Sequence, residues 1–188
     1  MRITGGLYKG RKLICPSGVI RPAMDRMRES MFAILGDIRG YSFLDLYCGS
    51  GSVGIEAASR GSEPVVFVEK DRGKRSILAR NASFVEEHIE FHFLPVEHFL
   101  RRVKLNFDLI FLDPPFGQKG KVEVLELIEA RGILVQAGTL IIHVPKEQEE
   151  DFPQVIPPHD GTARSRRLCL DDRRLYGRSL LLLYRCIP

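Results

Sequence analysis

Apolar residues along this chain fall into short runs that alternate between the period of a strand and the period of a helix. From residue 41 onward, the runs predict buried strands near residues 42–48, 64–69, 89–94, 107–112 and 139–144. Between them the pattern predicts helices near residues 52–60, 72–87, 96–103 and 121–130. Strands that alternate with helices in this way predict an α/β fold built on a parallel sheet.

The N-terminal residues form a separate pattern. Apolar and β-branched residues around Gly5-Gly6 predict a β-hairpin extension over residues 1–20, which is marginal alone and should dock on a main domain spanning residues 21–188. Apolar residues at helical spacing follow, with Asp25 placed to cap the helix, and we expect these residues to be core: Met24, Met27, Met31, Ile34 and Leu35.

The C-terminal segment departs from the alternation of strands and helices. Residues 157–167 predict a turn-rich basic loop, and two strands follow near residues 167–170 and 179–184, joined by residues 171–178. No helix-length segment separates these two strands, so they should pair antiparallel. The predicted sheet is therefore parallel and closed by an antiparallel hairpin.

Length and composition limit the class of protein. A chain of 188 residues fits one domain with a small appendage. Apolar runs are too short to span a bilayer, and no N-terminal signal pattern is present. The four cysteines lack the spacing of metal ligands. We therefore expect a cytoplasmic protein with reduced thiols and no membrane association.

Charge is distributed unevenly along the chain. Residues 1–40 carry eight Lys and Arg against three Asp and Glu, residues 160–188 carry seven against three, and the middle carries thirteen against eighteen. Basic ends around an acidic centre suggest that the ends bind an anionic macromolecule. Two solvated basic faces explain the charge equally well at this point.

The first half contains a glycine-rich turn between a strand and a helix. Residues 43–47 are apolar around a single acid, and glycines recur at Gly49, Gly51 and Gly54. Such glycines allow the backbone to approach a ligand, and the N–H groups of the following helix face it. The next strand ends in Glu69, whose carboxylate suits a ribose diol. The pattern predicts a nucleoside cofactor, either NAD or S-adenosylmethionine.

The fourth strand runs into Asp113, Pro114, Pro115 and Phe116. Two prolines remove two N–H donors and stiffen the backbone, so that the Asp113 carboxylate and the Pro114 carbonyl can both accept hydrogen bonds from one exocyclic NH₂ group. Phe116 can stack on the base that carries this amine. An exocyclic amine is a weak nucleophile, and two acceptors on its hydrogens draw electron density onto the nitrogen. The motif therefore favours methyl transfer to a nucleobase amine.

Asp113-Pro-Pro-Phe116 together with Asp45-x-x-x-Gly49-x-Gly51 resembles the class I amino-methyltransferases that use S-adenosylmethionine. Four further motifs are similar to the RsmD-type 16S rRNA guanine-N2 methyltransferases: Ile3-Thr-Gly-Gly-Leu-Tyr-Lys-Gly-Arg-Lys-Leu13, Arg21-Pro-x-x-Asp-Arg-x-Arg-Glu-Ser-x-Phe32, Gly49-Ser-Gly-Ser-Val-Gly-Ile-Glu-Ala57-x-Ser-Arg-Gly61 and Tyr176-Gly177. The resemblance covers nearly the whole chain. It implies a Rossmann-like, mostly parallel seven-stranded sheet with a C-terminal antiparallel hairpin.

The resemblance also implies residue roles. S-adenosylmethionine would bind without a metal and leave as S-adenosylhomocysteine, and the target guanine would flip onto the Asp113 motif. The implied cofactor-binding residues are Asp45, Tyr47, Gly49, Ser50, Gly51, Glu69, Lys70 and Arg21. The family often places an acidic or amide side chain near the adenine, but here that position is Pro95, so the Val96 backbone or Glu97 would take this role.

The implied partner is 16S rRNA in an assembling small ribosomal subunit, bound by a monomer. Basic residues beside an aromatic residue suit RNA, because they supply phosphate contacts and base stacking. We expect Lys9, Arg11 and Lys12, beside Tyr8, to bind RNA together with Arg166 and Arg167.

Three other functions compete with rRNA methylation. Adenine-N6 methylation of DNA uses a similar motif, but the chain shows no separate DNA-recognition domain. An RNA-binding protein without catalysis would not need both Asp113 and Glu69. A nicotinamide dehydrogenase would need a catalytic His or a Tyr-Lys pair, and we expect all five histidines to be structural or exposed: His88, His92, His98, His143 and His159.

Overall fold

The structure, a computed structural model, describes residues 1–15, 22–157 and 167–188, with only the backbone of residues 22–24. The predicted basic loop over residues 157–167, apart from its two end residues, lies outside this description. The chain divides into two compact units, Met1–Leu94 and Pro95–Pro188.

The first unit is built on three parallel strands, in the order β3-β2-β1. Every residue of the strands Phe43–Leu46 and Val65–Val68 is buried, as is typical of a parallel sheet covered on both faces. The strands are β1 (Phe43–Leu46), β2 (Val65–Val68) and β3 (Ile89–His92). The helices are α1 (Pro22–Leu35), α2 (Ser52–Ser59) and α3 (Arg75–Ala82), and a 3₁₀ turn at Arg72–Lys74 precedes α3.

Two helices differ from the sequence prediction at their ends. Helix α1 begins at Pro22, so Asp25 lies in the first turn and pairs with Arg28 instead of capping the helix. Met27 and Met31 are core as predicted, whereas Ile34 is exposed, so the prediction that Ile34 belongs to the core is wrong. Helix α3 ends at Ala82, five residues early, where the Ser83 hydroxyl donates to the Arg80 carbonyl.

The predicted N-terminal hairpin takes the form of an arch, residues 1–15, whose sides are joined by one antiparallel bridge between Arg2 and Lys12. The arch docks on the end of α2, where Ser59 accepts hydrogen bonds from the Leu7 N–H at 2.6 Å and the Tyr8 N–H at 2.9 Å. A Cβ atom at Gly6 would overlap the Ser59 carbonyl, so this close approach requires glycine.

The second unit contains five strands in the order β4-β5-β8-β7-β6. Strands β4 and β5 are parallel, and the remaining neighbours are antiparallel. The strands are β4 (Phe107–Leu112), β5 (Leu134–Pro145), β6 (Val155–Ile156), β7 (Arg167–Tyr176) and β8 (Ser179–Ile187), with helices α4 (Val96–Leu100) and α5 (Lys121–Ala130). The predicted α/β class with a C-terminal antiparallel hairpin is confirmed, and the short β6 adds an eighth strand to the described part of the chain.

The C-terminal hairpin is longer than predicted. Strand β7 continues through the expected link as far as Tyr176, past a bulge between Leu170 and Asp172. The turn is only Gly177-Arg178, and Gly177 has φ of 63°. A two-residue hairpin turn needs such a left-handed backbone, and glycine supplies it.

Candidate functional site

The loop between β1 and α2 has left-handed backbone at three positions, with φ of 60° at Tyr47, 56° at Gly49 and 78° at Gly51. Glycine adopts this conformation without a steric penalty, whereas a tyrosine in it is strained. Strained backbone of this kind clusters at functional sites. The loop is therefore held in one unusual conformation, as the glycine pattern predicted.

The three glycines of this loop have different surroundings. A Cβ atom at Gly49 would meet nothing closer than a carbonyl oxygen at 4.0 Å, so the space beside it is open. A Cβ atom at Gly51 would overlap the Leu78 side chain, and one at Gly54 would overlap the Phe67 ring. Gly49 is thus where a ligand can approach the backbone, while Gly54 allows α2 to pack closely on β2.

Asp45 stabilises the glycine-rich segment between β1 and α2, residues 47–54, which we call the glycine loop. Its buried carboxylate, in β1, accepts a hydrogen bond from the Gly54 N–H at 2.9 Å. This N–H belongs to the first turn of α2, where no intrahelical acceptor exists and a negative charge is stabilising. Asp45 therefore fixes the start of α2, and its contact with a cofactor stays a prediction.

Glu69 lies at the end of β2 and holds the loop from the other side. Its carboxylate accepts hydrogen bonds from the Gly49 N–H at 3.0 Å, the Asp71 N–H at 2.9 Å and the Lys74 ammonium at 2.9 Å. A carboxylate has about four acceptor positions, so one remains for a further donor, and Lys74 is exposed enough to yield a second. This arrangement fits a ribose diol, and the neighbouring Lys70 is exposed.

The thiol of Cys48 lies within the same loop but is not a candidate nucleophile. Burial raises its pKa well above the ordinary value, and the negative charges of Asp45 and Glu69 raise it further. A thiol of raised pKa carries little thiolate and is unreactive.

Asn81 joins the glycine loop to the N-terminal arch, a role that the sequence pattern did not reveal. Its side-chain amide donates to the Ser50 and Ile14 carbonyls at 2.9 Å each, and its carbonyl accepts from the Ile14 N–H at 2.8 Å. The side chain is buried in α3, so it links two segments that both precede it in the chain, one by 31 residues and the other by 67. A single polar residue in a surface-like helix pattern gives no signal of this role.

Arg28, from the arginine-rich motif, is a core residue. Its guanidinium is buried and donates to Glu56 at 2.7 Å and to the Arg2 carbonyl at 2.5 Å. Arginines are rarely buried unless paired, and Arg28 is buried because Glu56 is fully buried and needs a cationic partner. Arg21, predicted to bind the cofactor, lies outside the described residues.

In the second unit, the Asp113 motif follows β4 directly. The Asp113 side chain is about one-third exposed, Pro114 is buried, and Pro115 and Phe116 are exposed at the surface. The Asp113 carboxylate accepts a hydrogen bond from His143 Nδ1 at 2.8 Å. The Phe116 and His143 rings pack edge to face, with centroids 5.4 Å apart and an interplanar angle of 73°.

His143 is the functional candidate that sequence reasoning missed, because it was expected to be merely structural or exposed. It lies at the end of β5 and is 2% exposed. The sequence did hold one signal for it, because His143 is the single polar residue in the apolar run Leu140–Val144 of the strand that follows β4. Its partner follows only from the pairing register of β4 with β5.

Lys121 fixes the carbonyl end of the Asp113 motif. Its buried ammonium donates to the Phe116 carbonyl at 2.8 Å and to Gln148 Oε1 at 2.6 Å, and the Gln148 amide donates to the same carbonyl at 3.1 Å. Burial lowers the pKa of Lys121, partly offset by the charge of Asp151. These residues border a cavity of about 420 Å³ that extends from Phe116 to Phe152.

The two candidates for adenine recognition lie at the start of α4. Pro95 precedes the helix as its N-cap, Val96 is the first helical residue and is buried, and Glu97 is half-buried in the first turn. The Val96 N–H is one of those that lack an intrahelical acceptor. Both the backbone and the side-chain alternatives therefore remain predictions.

The basic residues predicted to bind RNA are exposed where the structure describes them. Lys9, Arg11 and Lys12 are exposed on the arch, and Arg167 is exposed at the start of β7, whereas Arg166 lies outside the described residues. Tyr8, by contrast, is buried.

Stacking of an RNA base on Tyr8 is therefore a wrong expectation. Its hydroxyl donates to Glu87 at 2.8 Å and accepts from the Glu86 N–H at 2.9 Å, so the residue serves to dock the arch. The Arg11 guanidinium covers the Phe84 ring, 4.5 Å from its centroid. The arch thus presents cations rather than an aromatic face.

Comparison with solved structures defines the class of protein. The chain superimposes on yhhF of Escherichia coli, which carries a provisional methyltransferase name, with a TM-score of 0.82 and 28% identity over 100% of this chain and 98% of that one. The fold is thus that of a Rossmann-like methyltransferase. More particularly, the family described as Conserved hypothetical protein 95 matches residues 1–160, and the chain belongs to this family. The predicted RsmD-type resemblance is confirmed.

Two curated relatives are similar over most of their length. Ribosomal RNA small subunit methyltransferase D of Escherichia coli strain K12 is 34% identical over 158 residues, which is 82% of this chain and 79% of the relative. The protein of the same name from Haemophilus influenzae is 30% identical over 183 residues, 94% of this chain and 93% of the relative.

Among the residues that the structure describes, no helix is both long and apolar enough to cross a membrane.

Proposed function

We propose that this protein catalyses S-adenosylmethionine-dependent methylation of the exocyclic N2 amine of a guanine in 16S rRNA. The observation that carries the proposal is the Asp113-Pro-Pro-Phe116 turn, placed at the end of β4 with an accessible carboxylate and an accessible aromatic ring in a member of this family. The family's curated relatives are rRNA methyltransferases by name, which supports an rRNA substrate.

The glycine loop and Glu69 fit the methyl donor. The open space beside Gly49 admits a ligand to the backbone, and Glu69 can accept hydrogen bonds from two ribose hydroxyls once Lys74 yields. We assign the methionine end to Asp45, Tyr47, Ser50, Gly51 and Arg21, and the adenine end to Lys70 and to Val96 or Glu97. When bound, S-adenosylmethionine supplies an already activated methyl group on a sulfonium.

Asp113 and the Pro114 carbonyl prepare the nucleophile. Both accept hydrogen bonds from the two hydrogens of the guanine amine, which aligns the nitrogen lone pair for an in-line displacement. The new N–C bond forms as the C–S bond breaks, and the nitrogen gains positive charge that the Asp113 carboxylate offsets. The surplus proton then leaves to Asp113 or to water. The sequence of events requires no metal.

Phe116 provides the surface for the base. Phe116 is 39% exposed, and its carbonyl is fixed by Lys121 and Gln148. Stacking of a flipped guanine on such a ring contributes about 1–3 kcal/mol. The adjoining cavity of about 420 Å³ is within the range of small-ligand pockets, about 300–1,000 Å³, and leaves room for a neighbouring nucleotide.

RNA binding falls to the basic residues at the two ends of the chain, namely Lys9, Arg11, Lys12, Arg166 and Arg167. Exposed lysines and arginines contact RNA phosphates and do not recognise the base sequence. We propose that the substrate is 16S rRNA within an assembling small subunit, bound by a monomer in the cytoplasm.

The test is methyl transfer from labelled S-adenosylmethionine to small-subunit particles that lack the modification, with naked 16S rRNA and duplex DNA assayed in parallel. Nuclease digestion and chromatography then identify the methylated nucleoside. N2-methylguanosine from the particle is the expected product. N6-methyladenine, or cofactor binding without transfer to any of the three substrates, contradicts the proposal.

A further inference from the structure

His143 is a buried polar residue with an incomplete set of hydrogen bonds. It is 2% exposed, and its Nε2 atom has no hydrogen-bond partner within residues 1–15, 22–157 and 167–188. Its cross-strand neighbour in β8 is Leu181, whose side chain offers none. An unpaired buried nitrogen is destabilising, so an apolar residue would serve the core of this sheet better.

The register of the sheet gives His143 a polar partner. Leu112 of β4 lies opposite Ile142 of β5, so the next residues along these parallel strands, Asp113 and His143, are neighbours at the same end of the sheet. The Nδ1···Oδ1 distance of 2.8 Å is that of a strong, charge-assisted hydrogen bond. A carboxylate can only accept, so His143 donates from Nδ1.

We propose that His143 is a positioning residue for methyl transfer, an inference that rests on the proposed role of Asp113. Its Nδ1–H fixes Asp113 Oδ1 and turns Oδ2 toward the target amine. Asp113 makes no second hydrogen bond in the described part of the chain, so His143 alone restrains this carboxylate, which is about one-third exposed. The same imidazole packs edge to face with the Phe116 ring, so His143 orients both the acceptor and the stacking surface.

Three substitutions separate this role from simple packing. His143→Asn places an amide N–H near the position of Nδ1, His143→Gln places its N–H near the position of Nε2, and His143→Phe keeps the ring volume without a donor. Each purified variant would be compared with the wild-type enzyme in kcat, in KM for the particle, in Kd for S-adenosylmethionine and in Tm.

We expect kcat to fall by about 10- to 100-fold in His143→Phe and His143→Gln, because misplacement of a reacting group by about 1 Å can have this effect. His143→Asn should retain kcat within about threefold, because it keeps the donor that holds Oδ1. Binding of S-adenosylmethionine should be unchanged in all three. The Tm of His143→Phe should equal or exceed that of the wild-type protein, because the substitution removes the unpaired Nε2.

Two results would overturn the proposal. One is a His143→Phe enzyme with wild-type kcat. The other is an equal loss of kcat in all three variants together with a lower Tm, which is what a purely structural residue would give. If the wild-type protein methylates none of the substrates, the proposed function itself fails. If it methylates the particle and only Asp113→Ala is slow, the function stands and the inference about His143 fails.

Discussion

At the scale of single residues, the function depends most on Asp113. We expect Asp113→Ala to lower kcat by about 100- to 1,000-fold, because one of the two acceptors on the amine and the charge that offsets the developing cation are both lost. Affinity for S-adenosylmethionine should be unchanged, since other residues are assigned to the cofactor. Single-turnover methylation and calorimetric titration measure the two quantities. Turnover close to that of the wild-type enzyme would remove Asp113 from the mechanism.

The sequence revealed those site residues that belong to a contiguous motif. Asp113 and Glu69 could be predicted because each follows an apolar strand directly. His143 and Asn81 could not, because their roles come from contacts with residues about thirty positions or more away, which depend on strand register and on the docking of the arch. The expectation that an RNA base stacks on Tyr8 was wrong for the same reason. The sequence shows an aromatic residue beside cations, but it does not show whether the ring is exposed or buried.

At the scale of elements, the packing of α2 on β2 depends on Gly54. A Cβ atom there would overlap the Phe67 ring, a buried side chain that cannot move away. Overpacking of this kind costs about 1–3 kcal/mol. We expect the overlap to outweigh the gain in helix propensity of about 1 kcal/mol, so Gly54→Ala should be destabilised.

Urea unfolding measures this effect, and Gly117→Ala is the matched control. A Cβ atom at Gly117 would meet nothing within 4 Å, and the residue does not need positive φ. The free energy of unfolding of the Gly117→Ala variant should therefore stay within about 0.5 kcal/mol of the wild-type value. Equal stability of the two variants would mean that the sheet repacks around the added methyl group.

The arch, α1 and α2 meet at Glu56, which makes their packing sensitive to acid. Burial alone would raise the pKa of Glu56, but hydrogen bonds from Thr4 and Arg60 and the charge of Arg28 outweigh it, so the pKa is lowered. A carboxyl with a lowered pKa in the folded state stabilises the protein above its ordinary pKa of about 4.5. This stability is lost as the pH falls below that value and through the folded pKa.

Glu56→Gln should therefore be less stable at pH 7 by about 3–5 kcal/mol, because Arg28 stays buried without its charged partner. The stability of the variant should also change less than that of the wild-type protein between pH 5 and pH 3, as measured by urea unfolding at each pH. Glu147→Gln is the control, since its partner Arg178 is exposed and such surface pairs contribute little. A parallel loss in wild type and Glu56→Gln on acidification would exclude Glu56 as the source.

The elements themselves followed closely from periodicity, and the departures have local causes. Strand β7 and the two-residue turn after it were under-predicted, because charged residues on an exposed strand resemble a loop in sequence. Helix α1 was correctly placed, but the role of Arg28 depends on a buried acid in another helix. Amphipathic pattern therefore predicts where an element lies, and it does not predict which polar residue turns inward.

At the scale of the whole molecule, the two ends of the chain carry a positive charge around an acidic centre. This charge either binds RNA or forms an ordinary solvated surface. Lys9 and Lys12 are exposed on the arch and are available for binding, whereas Arg28 is neutralised in the core and is not. If the arch binds RNA, each phosphate contact releases a counterion, and affinity falls as salt rises. If the arch is only a solvated surface, substitution of these lysines would not change how RNA affinity depends on salt.

Reversing two charges on the arch tests this directly. We expect Lys9→Glu with Lys12→Glu to weaken binding of 16S rRNA and to make the slope of log K against log salt shallower by about 1.4, which is about 0.7 for each of two lost contacts to single-stranded phosphate. The matched control is Arg102→Glu with Lys104→Glu, which makes the same change in net charge at exposed positions before β4, at the opposite end of that strand from Asp113. Filter binding at several salt concentrations gives both slopes, and calorimetry should show unchanged affinity for S-adenosylmethionine in both variants. Equal slopes for the two double variants would mean that RNA responds to net charge alone, and the arch would then lose its role as the RNA-binding surface.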